Sequence, residues 1–306
     1  MHSKSIPCAL GLLAGSFFSA TAQKTHILQF NPSAGDSFRC EMTLNANTVS
    51  RQKEQVFSFK MLNTTAYGML VAGKTDSIYD LRYRYGYIML DMEVVGTKVK
   101  IDTREPLSTE AEETEEMLYN VYRVMIGSEF GTLVSSTGRV IKLNGITEMK
   151  KRLLAQLKTD YEDNANYDRM RKTLEDLMDE TNMKNQIEQS FQYYPSTPVS
   201  LKSKWSKKYT FNKGIQPSTG NFVLSEYLTD SMLRVDMNVK LQSDNNEGTP
   251  LKGFMKGYYH VSMKTGVPMY SQAIVELKGK KKVSGSGDVE VNSVTTVENR
   301  ITPIRR

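Results

Sequence analysis

The stretch DSFRCEMTLNANT, residues 36 to 48, alternates apolar and polar side chains along its length. Phe38, Cys40, Met42 and Leu44 occupy every second position, and polar or charged residues stand between them. Successive side chains of a β-strand point to opposite faces of the sheet, so this period of two predicts a strand with one buried face. The stretch therefore favours a mainly β protein.

Segments of the same kind follow on both sides of a charged helical region. Short turns separate them, which predicts antiparallel meanders and not parallel βαβ units. The first meander continues through VFSFKM, AYGMLVAG, DSIYDLRYRYGYIMLDMEVVG, GTKVKIDT and EFGTLVSSTGRVIKLNG. The second contains WSKKYTF, GNFVLSEYL, SMLRVDMNVKLQ, FMKGYYHVSM, GVPMYSQAIVEL and GDVEVNSVTTVENRI.

Helices are predicted in two places. Within the first meander, Ser108 or Thr109 could cap a helix in which Glu112 completes a capping box. Between the meanders, ITEMKKRLLAQL, YDRMRKTLEDLMDE and NMKNQIEQSFQYY carry apolar residues at helical spacing. Such amphipathic helices pack their apolar face on another layer, here the sheet.

The predicted fold class is mainly β with α. Two antiparallel meanders form a curved sheet or half-barrel, and amphipathic helices pack on one face. The predicted organisation is a signal peptide at 1–22, a first meander with one helix at 23–144, a helical insert at 145–194, and a second meander at 195–306 that forms one compact unit with the first.

The N-terminus has the pattern of a secretory signal. A short basic start precedes an apolar run over residues 6–18, and an A-x-A pattern ending in Ala20 and Ala22 predicts cleavage before Gln23. The apolar run is too short to span a membrane as a helix, and no later run reaches 18 apolar residues. We therefore expect an exported protein without transmembrane helices, located in the periplasm, on the outer-membrane surface or outside the cell.

The chain carries 40 Lys and Arg against 34 Asp and Glu, a formal net charge of +6. The densest basic clusters, LKSKWSKK and KGKKK, are accompanied by no nucleic-acid-binding motif, so we expect no nucleic-acid partner. Attraction to an anionic envelope surface stays open as an alternative.

Cys40 is the one cysteine left after the predicted cleavage, so no internal disulfide is expected. It lies on the apolar side of the strand at 36–48, which predicts a buried core thiol; a reactive thiol is the alternative.

Signals for catalysis are absent from the sequence. There is no H-E-x-x-H, no paired C-x-x-C and no G-x-S-x-G. His26 is expected in solvent, and His260 is expected to make a structural hydrogen bond within a strand. We therefore predict no catalytic residue, no metal site and no cofactor, although a triad assembled across the fold would leave no local signal.

A tyrosine stripe is the strongest candidate for a binding site. Tyr79, Tyr83, Tyr85 and Tyr87 fall at alternate positions on one predicted strand face, and the chain holds 17 methionines. Tyrosine pairs an apolar ring with a hydroxyl, and methionine adapts to varied ligands. Tyr83, Tyr85 and Tyr87 are the candidate ligand-binding residues, for an apolar or sugar-bearing ligand; the alternative is an ordinary sheet core.

Two motifs support a family resemblance, FQYYPSTPVSLKSKW and GYYHVSMKTGVPMYSQAIVEL, together with the A-x-A-Gln end of the signal. With them the chain resembles an uncharacterised family of exported β-rich proteins from Bacteroidetes-type bacteria, a domain of unknown function. The family pattern has Gly-Asp-Ser-Trp where this chain has Lys202-Ser203-Lys204-Trp205. The resemblance implies an exported β-rich fold and supplies no catalytic residue. Asp76-Ser77-Ile78 also resembles the acceptor motif for O-linked glycosylation in such exports.

The leading functional prediction is an exported, non-catalytic binding protein for a lipid or other amphipathic small molecule in the cell envelope. The first alternative is a structural or protein-interaction module that binds another envelope protein. The second is a hydrolase without a recognisable local motif.

Overall fold

The computed structural model describes residues 24–211, 215–243, 250–283 and 287–304. The predicted signal peptide, with its cleavage site at Ala20, Ala22 and Gln23, lies outside the described residues. The strands are β1 (Thr25–His26), β2 (Ser37–Gln52), β3 (Gln55–Thr75), β4 (Ile78–Val94), β5 (Thr97–Asp102), β6 (Glu129–Ser135), β7 (Val140–Asn144), β8 (Val199–Ser200), β9 (Lys204–Tyr209), β10 (Ser218–Thr229), β11 (Met232–Gln242), β12 (Lys252–Ser262), β13 (Pro268–Val283) and β14 (Gly287–Pro303). The helices are α1 (Glu113–Met125), α2 (Ile146–Tyr161), α3 (Tyr167–Leu177) and α4 (Glu180–Gln189).

Twelve strands form one antiparallel sheet. Its order is β7-β6-β4-β3-β2-β14-β13-β12-β11-β10-β9, and β5 pairs with the end of β4. The first meander supplies one half and the second meander the other half. The prediction of a mainly β fold, with two antiparallel meanders in a curved sheet and helices beside it, is confirmed.

The two meanders join where β2 pairs with β14 at the centre of the sheet. The pairing runs from Phe38 opposite Pro303 to Arg51 opposite Glu290. On its other side β2 pairs with β3 over its whole length. The stretch that predicts the fold is therefore a central strand, with a partner on each side.

The sheet is strongly curved, because the consecutive residues Phe30 and Asn31 donate to the carbonyls of Ser136 in the β6–β7 turn and Thr265 in the β12–β13 turn, which a flat sheet would hold far apart. Aromatic rings fill the space between the two halves. Strands β4 and β12 are five positions apart in the sheet order, which is about 24 Å in a flat sheet. Tyr79 of β4 packs against Phe30 at 5.0 Å between ring centroids, and Phe30 packs against Phe191 at 5.1 Å. Two residues later, Tyr193 stacks on Tyr259 of β12 at 4.5 Å. The inner face, defined here as the face that these rings touch, is therefore concave.

Two glycines of β12 let the neighbouring strand approach where a side chain would stand. A Cβ at Gly253 would lie 1.7 Å from the carbonyl oxygen of Glu276 in β13, and a Cβ at Gly257 would lie 2.2 Å from that of Gln272. Glycine inside a strand commonly marks such a close backbone approach. The tight fit between β12 and β13 therefore depends on both positions having no side chain.

The helices lie beside the first half of the sheet and reach the far edge. Helices α1, α2 and α4 contact β5, β6 and β7, respectively. Helix α4 also meets the end of β9, since Asn185 Nδ2 donates to the carbonyl of Phe211 at 3.1 Å and the Tyr209 hydroxyl donates to the carbonyl of Gln189 at 3.3 Å. Because β7 and β9 are the two edge strands, α4 connects the opposite edges of the sheet.

The start of α1 differs from the sequence prediction. Glu112, and not Ser108 or Thr109, is the N-cap, and it forms a reciprocal capping box with Glu115. Ser108 instead accepts a hydrogen bond from the backbone of Glu110 in the preceding turn. A carboxylate serves at this position because it accepts from a free N–H and also suits the positive end of the helix dipole.

In the described part of the chain, the helices are all too short or too polar to cross a membrane.

Candidate functional site

Two of the candidate tyrosines, Tyr83 and Tyr85, belong to the inner-face core of the first half of the sheet. Tyr83 is buried and stacks on Phe130 at 5.1 Å, and its ring lies 5.6 Å from that of Tyr67. Tyr85 is half-buried, 6.0 Å from Phe130. Burial raises the pKa of both phenols, that of Tyr85 to about 12. Both rings fill the space between sheet and helices.

The third candidate, Tyr87, lies on the opposite, outer face. The register between β3 and β4 shifts between Ala66 and Tyr67, so that Tyr85 and Tyr87 pair with neighbouring residues of β3. The Tyr87 hydroxyl donates to the Glu41 carboxylate, and the guanidinium of Arg104 lies 4.6 Å from the ring. The prediction that the tyrosine stripe stays on one face of the sheet is therefore wrong beyond Tyr85.

Gly86 is the signal that could have revealed this break. A glycine inside a strand pattern often marks a bulge, and a bulge moves every following side chain to the other face. A Cβ at Gly86 would lie 3.3 Å from the carbonyl oxygen of Ala66, which shows how closely the bulged backbone approaches β3.

Four aromatic residues close one end of the concave face: Phe30, Phe191, Tyr193 and Tyr194, here called the aromatic plug. All four are buried. The hydroxyls of Tyr193 and Tyr194 donate to the same acceptor, the carbonyl of Gly266 in the β12–β13 turn, at 2.7 and 2.8 Å.

The chain on either side of Phe30 connects two hairpin turns to the plug. The backbone N–H of Phe30 donates to the carbonyl of Ser136 in the β6–β7 turn at 2.8 Å, and that of Asn31 donates to the carbonyl of Thr265 in the β12–β13 turn at 2.7 Å. Both halves of the sheet are therefore fixed to one buried cluster at this end.

Beside the plug, the inner face of the central strands forms an apolar row. The register aligns six residues across β12, β13, β14, β2, β3 and β4, which are Met255, Val275, Thr295, Ala46, Met61 and Met92. Directly opposite residues share a face of the sheet and stand about 5 Å apart, so their side chains form a continuous band. Five of the six are apolar.

Solvent reaches part of this band. We call six half-buried residues of the band and its flanks the trough: Leu44, Met61, Met92, Val275, Leu277 and Val297. Their strands, β2, β3, β4, β13 and β14, are the longest in the sheet and extend beyond the plug. The trough therefore has a sheet floor and a closed end at the plug.

The trough side chains carry no titratable group, so a ligand there would be held by burial of apolar surface. Each methylene removed from water contributes about 0.8 kcal/mol. Methionine is unbranched and polarisable, and it fits ligands of irregular shape. The tyrosine stripe did not point to these residues, although Leu44 belongs to the alternating stretch at 36–48.

Cys40 is a core thiol, as predicted. It is 1% exposed, and burial raises its pKa from 9.0 to about 12. A thiol that stays protonated at neutral pH is a poor nucleophile.

The buried tyrosines predict an alkaline loss of stability. Burial raises the pKa of Tyr85 and Tyr259 from 10.0 to about 12. Their contribution to stability is fully present below pH 10 and is lost as the pH rises towards 12, because only the unfolded state then releases these protons. Each tyrosine removes up to about 1.4 kcal/mol per pH unit in this window. Between pH 10 and 12, the free energy of unfolding measured with urea should fall, and the absorbance of tyrosinate should rise only as the protein unfolds. Ionisation of all tyrosines near pH 10 in the folded protein would contradict the burial.

The described residues include two histidines. His26 is partly exposed to solvent, and its Nε2 shares a 2.9 Å hydrogen bond with the Tyr227 hydroxyl. His260 lies on the outer face, with its ring 4.9 Å from Tyr258 and 5.5 Å from Tyr270. Its Nε2 is buried without a hydrogen-bond partner, so the predicted structural hydrogen bond is not formed at that atom.

Within residues 24–211, 215–243, 250–283 and 287–304, no group of three or more His, Cys, Asp or Glu side chains is arranged to hold a metal ion. Asp76 adopts a positive φ of 50° in the turn between β3 and β4, and Ser77 beside it is exposed. Glycosylation of this motif stays a prediction.

Comparison by sequence gives one informative match. The model of a family of unknown function (DUF6263) matches residues 76–268, which is more than half of the chain. No curated protein matches the chain.

Several solved structures resemble the chain distantly. One is lipovitellin, from a structure that concerns lipid–protein interactions in that protein. It is 11% identical with a TM-score of 0.49, and the match covers 90% of this chain and 26% of lipovitellin. An outer membrane channel from Pseudomonas putida F1 is 7% identical with a TM-score of 0.24, covering 89% and 97%. A DUF1329 family protein from Desulfovibrio piger is 8% identical with a TM-score of 0.13, covering 88% and 86%. The chain thus spans about a quarter of the lipovitellin chain, and all three similarities are low.

Proposed function

The chain belongs to a family of unknown function, DUF6263, and we propose that it is an exported, non-catalytic binding protein whose apolar or amphipathic ligand lies in the trough. The location in the cell envelope of a Bacteroidetes-type bacterium is part of this proposal. The signal pattern that ends at Ala22 and the family motifs around Trp205 and His260 support it.

The observation that carries the proposal is the half-buried apolar band on the concave face. Two residues of β13, Val275 and Leu277, pack against the core, and Val297 of β14 lies beside them. All three keep part of their surface accessible to solvent. On the other side of the β2–β14 pairing, Leu44 and Met61 continue the same floor. Apolar surface that stays partly accessible on a concave face favours an apolar occupant, because covering it removes both partners from water.

The plug gives this surface the shape of a binding site. It closes one end of the concave face with buried rings, while Leu118 and Tyr122 of α1 pack over Leu90, Val99 and Ile101 on one side. Small-molecule sites are usually concave, apolar and largely preformed. An acyl chain or a similarly slender apolar group suits a site that runs along strands.

Native mass spectrometry with organic extraction tests the proposal. Mature protein, residues 23–306, exported by a Bacteroidetes-type host should carry a reproducible apolar small molecule. Val275→Glu, which places a carboxylate in the trough, should lose this ligand or bind it at least about tenfold more weakly, because burying a charge against an apolar group is unfavourable.

Ile274→Glu is the matched control. Ile274 is the preceding residue of β13, points to the outer face and is 42% exposed, so this variant should keep the ligand. An apo mass for the wild type, or equal loss in both variants, would contradict the trough as a site. The result would then favour the interaction module, for which Ile274 and Val294 offer exposed apolar surface on the outer face.

A further inference from the structure

A separate pocket lies on the outer face of the second half of the sheet. It is open to solvent and offers about 610 Å³ over β11 and β12, a volume within the usual range of small-molecule sites. Its walls include three lysines, one phenylalanine and several amide side chains: Lys240, Lys252, Lys256, Phe254, Gln216 and Asn238.

The three lysines occupy the strand positions next to Phe254 on the outer face. Lys252 and Lys256 are two residues before and after it on β12, and so on the same face. Lys240 of β11 is directly opposite Phe254 in the register. The amine of Lys256 lies 4.6 Å from the centre of the ring. Diagonal cross-strand neighbours are about 7–8 Å apart, so Lys240 is within this distance of both Lys252 and Lys256, and all three side chains rise from the strand positions next to Phe254.

None of these three amines forms an ion pair with a carboxylate of the described residues. No carboxylate of the described chain lies within 4.0 Å of the amines of Lys240, Lys252 or Lys256. Glu276 is opposite Phe254 on β13, but its carboxylate is 3.7 Å from the amine of Lys278 and does not line the pocket. Like charges this close repel each other, and an anion between them would relieve the repulsion.

We propose that this pocket binds a phosphomonoester group of a small molecule or a lipid headgroup. Each lysine offers three N–H donors to the phosphate oxygens, and such charge-assisted hydrogen bonds are the stronger kind. The Phe254 ring contacts the carbon skeleton that carries the phosphate. The amides of Gln216, Asn238 and Gln242 suit hydroxyl groups on that skeleton.

This site is independent of the trough. Asn238, Lys240 and Phe254 point away from the inner face, whereas the adjacent residues Val239 and Met255 are buried in the core. One small ligand cannot reach both sites through the sheet. Val275→Glu should therefore leave phosphomonoester binding unchanged.

Two probes test the proposal and separate the sources of the phosphate. Glucose 6-phosphate, with glucose as its control, tests a free phosphorylated molecule by calorimetry. Phosphatidylcholine vesicles containing phosphatidic acid, with pure phosphatidylcholine vesicles as their control, test a lipid headgroup by co-sedimentation. Binding to either phosphomonoester and not to its control supports the site and identifies the source. Failure of both phosphomonoesters to bind would overturn the proposal.

The variant K240Q/K252Q/K256Q should bind at least about 30-fold more weakly, since the loss of even one charge-assisted hydrogen bond weakens binding roughly tenfold or more. The matched control K142Q/K204Q/K264Q removes three exposed lysines outside the pocket and the same charge, and should bind within about twofold of the wild type. Equal weakening of both variants would mean general attraction to a basic surface and would overturn the pocket.

Discussion

Replacing Gly253 with alanine should lower the free energy of unfolding by about 3 kcal/mol or more, or prevent folding. The added Cβ would lie 1.7 Å from the carbonyl oxygen of Glu276, a backbone atom that cannot rotate away. Relief requires β12 and β13 to separate, which would break their hydrogen bonds and flatten the sheet beside the trough. Urea unfolding followed by far-ultraviolet circular dichroism measures the loss.

Gly68→Ala is the control for this substitution. Gly68 is also an interior strand glycine, in β3, but a Cβ there meets no heavy atom within 4 Å. Alanine should be neutral at this position or stabilise the protein by about 0.5 kcal/mol, because it reduces the freedom of the unfolded chain. Equal stability of the two variants would show that β12 and β13 do not approach as closely as described.

Tyr193→Ala should destabilise the protein by about 4 kcal/mol, the usual effect of removing a large buried ring. The variant loses the stack on Tyr259 and the contact with Tyr194, whose ring centroid is 4.3 Å away. It also loses one of two hydrogen bonds to the carbonyl of Gly266. Because the plug connects both halves of the sheet, the cavity left by the missing ring would weaken the contact that maintains the curvature of the sheet.

Two further variants separate the ring from its hydroxyl. Tyr193→Phe should lose only about 1 kcal/mol, since Tyr194 still donates to the same carbonyl. Tyr227→Ala removes a tyrosine that is 37% exposed and should lose less than the plug variant. If Tyr193→Ala were as stable as Tyr227→Ala, the plug would not be the element that joins the halves.

Local patterns predicted the elements of this fold well. The alternation at 36–48 identified β2, and the apolar spacing at Met149, Leu153 and Leu157 identified the buried side of α2. These predictions succeed because the period of a strand or helix is written into neighbouring residues. One exception, at Gly86, arose because a bulge changes the face without changing the composition of the strand.

The candidate site was less accessible to sequence reasoning. The trough is formed by residues such as Met61 and Val275 that become neighbours only through the strand order β13-β14-β2-β3. Nothing in the alternation of one strand indicates which strand lies next to it. The plug was also missed, because Tyr193 and Tyr194 were assigned to the last predicted helix; that prediction is wrong beyond Gln189, where α4 ends, and both residues lie between α4 and β8.

The seam between β2 and β14 has a consequence for how the molecule is made. Thr48 and Ser293, whose hydroxyls are 2.8 Å apart across it, are 245 residues apart in the chain. Contacts of such long sequence separation form late, because a long loop must close first. Until β14 is available for pairing, β2 therefore has one unpaired edge and an exposed alternating apolar pattern. Over that interval a strand of another copy of the chain can pair with this edge instead of β14. The yield of folded protein should therefore fall as the concentration of incomplete chains rises.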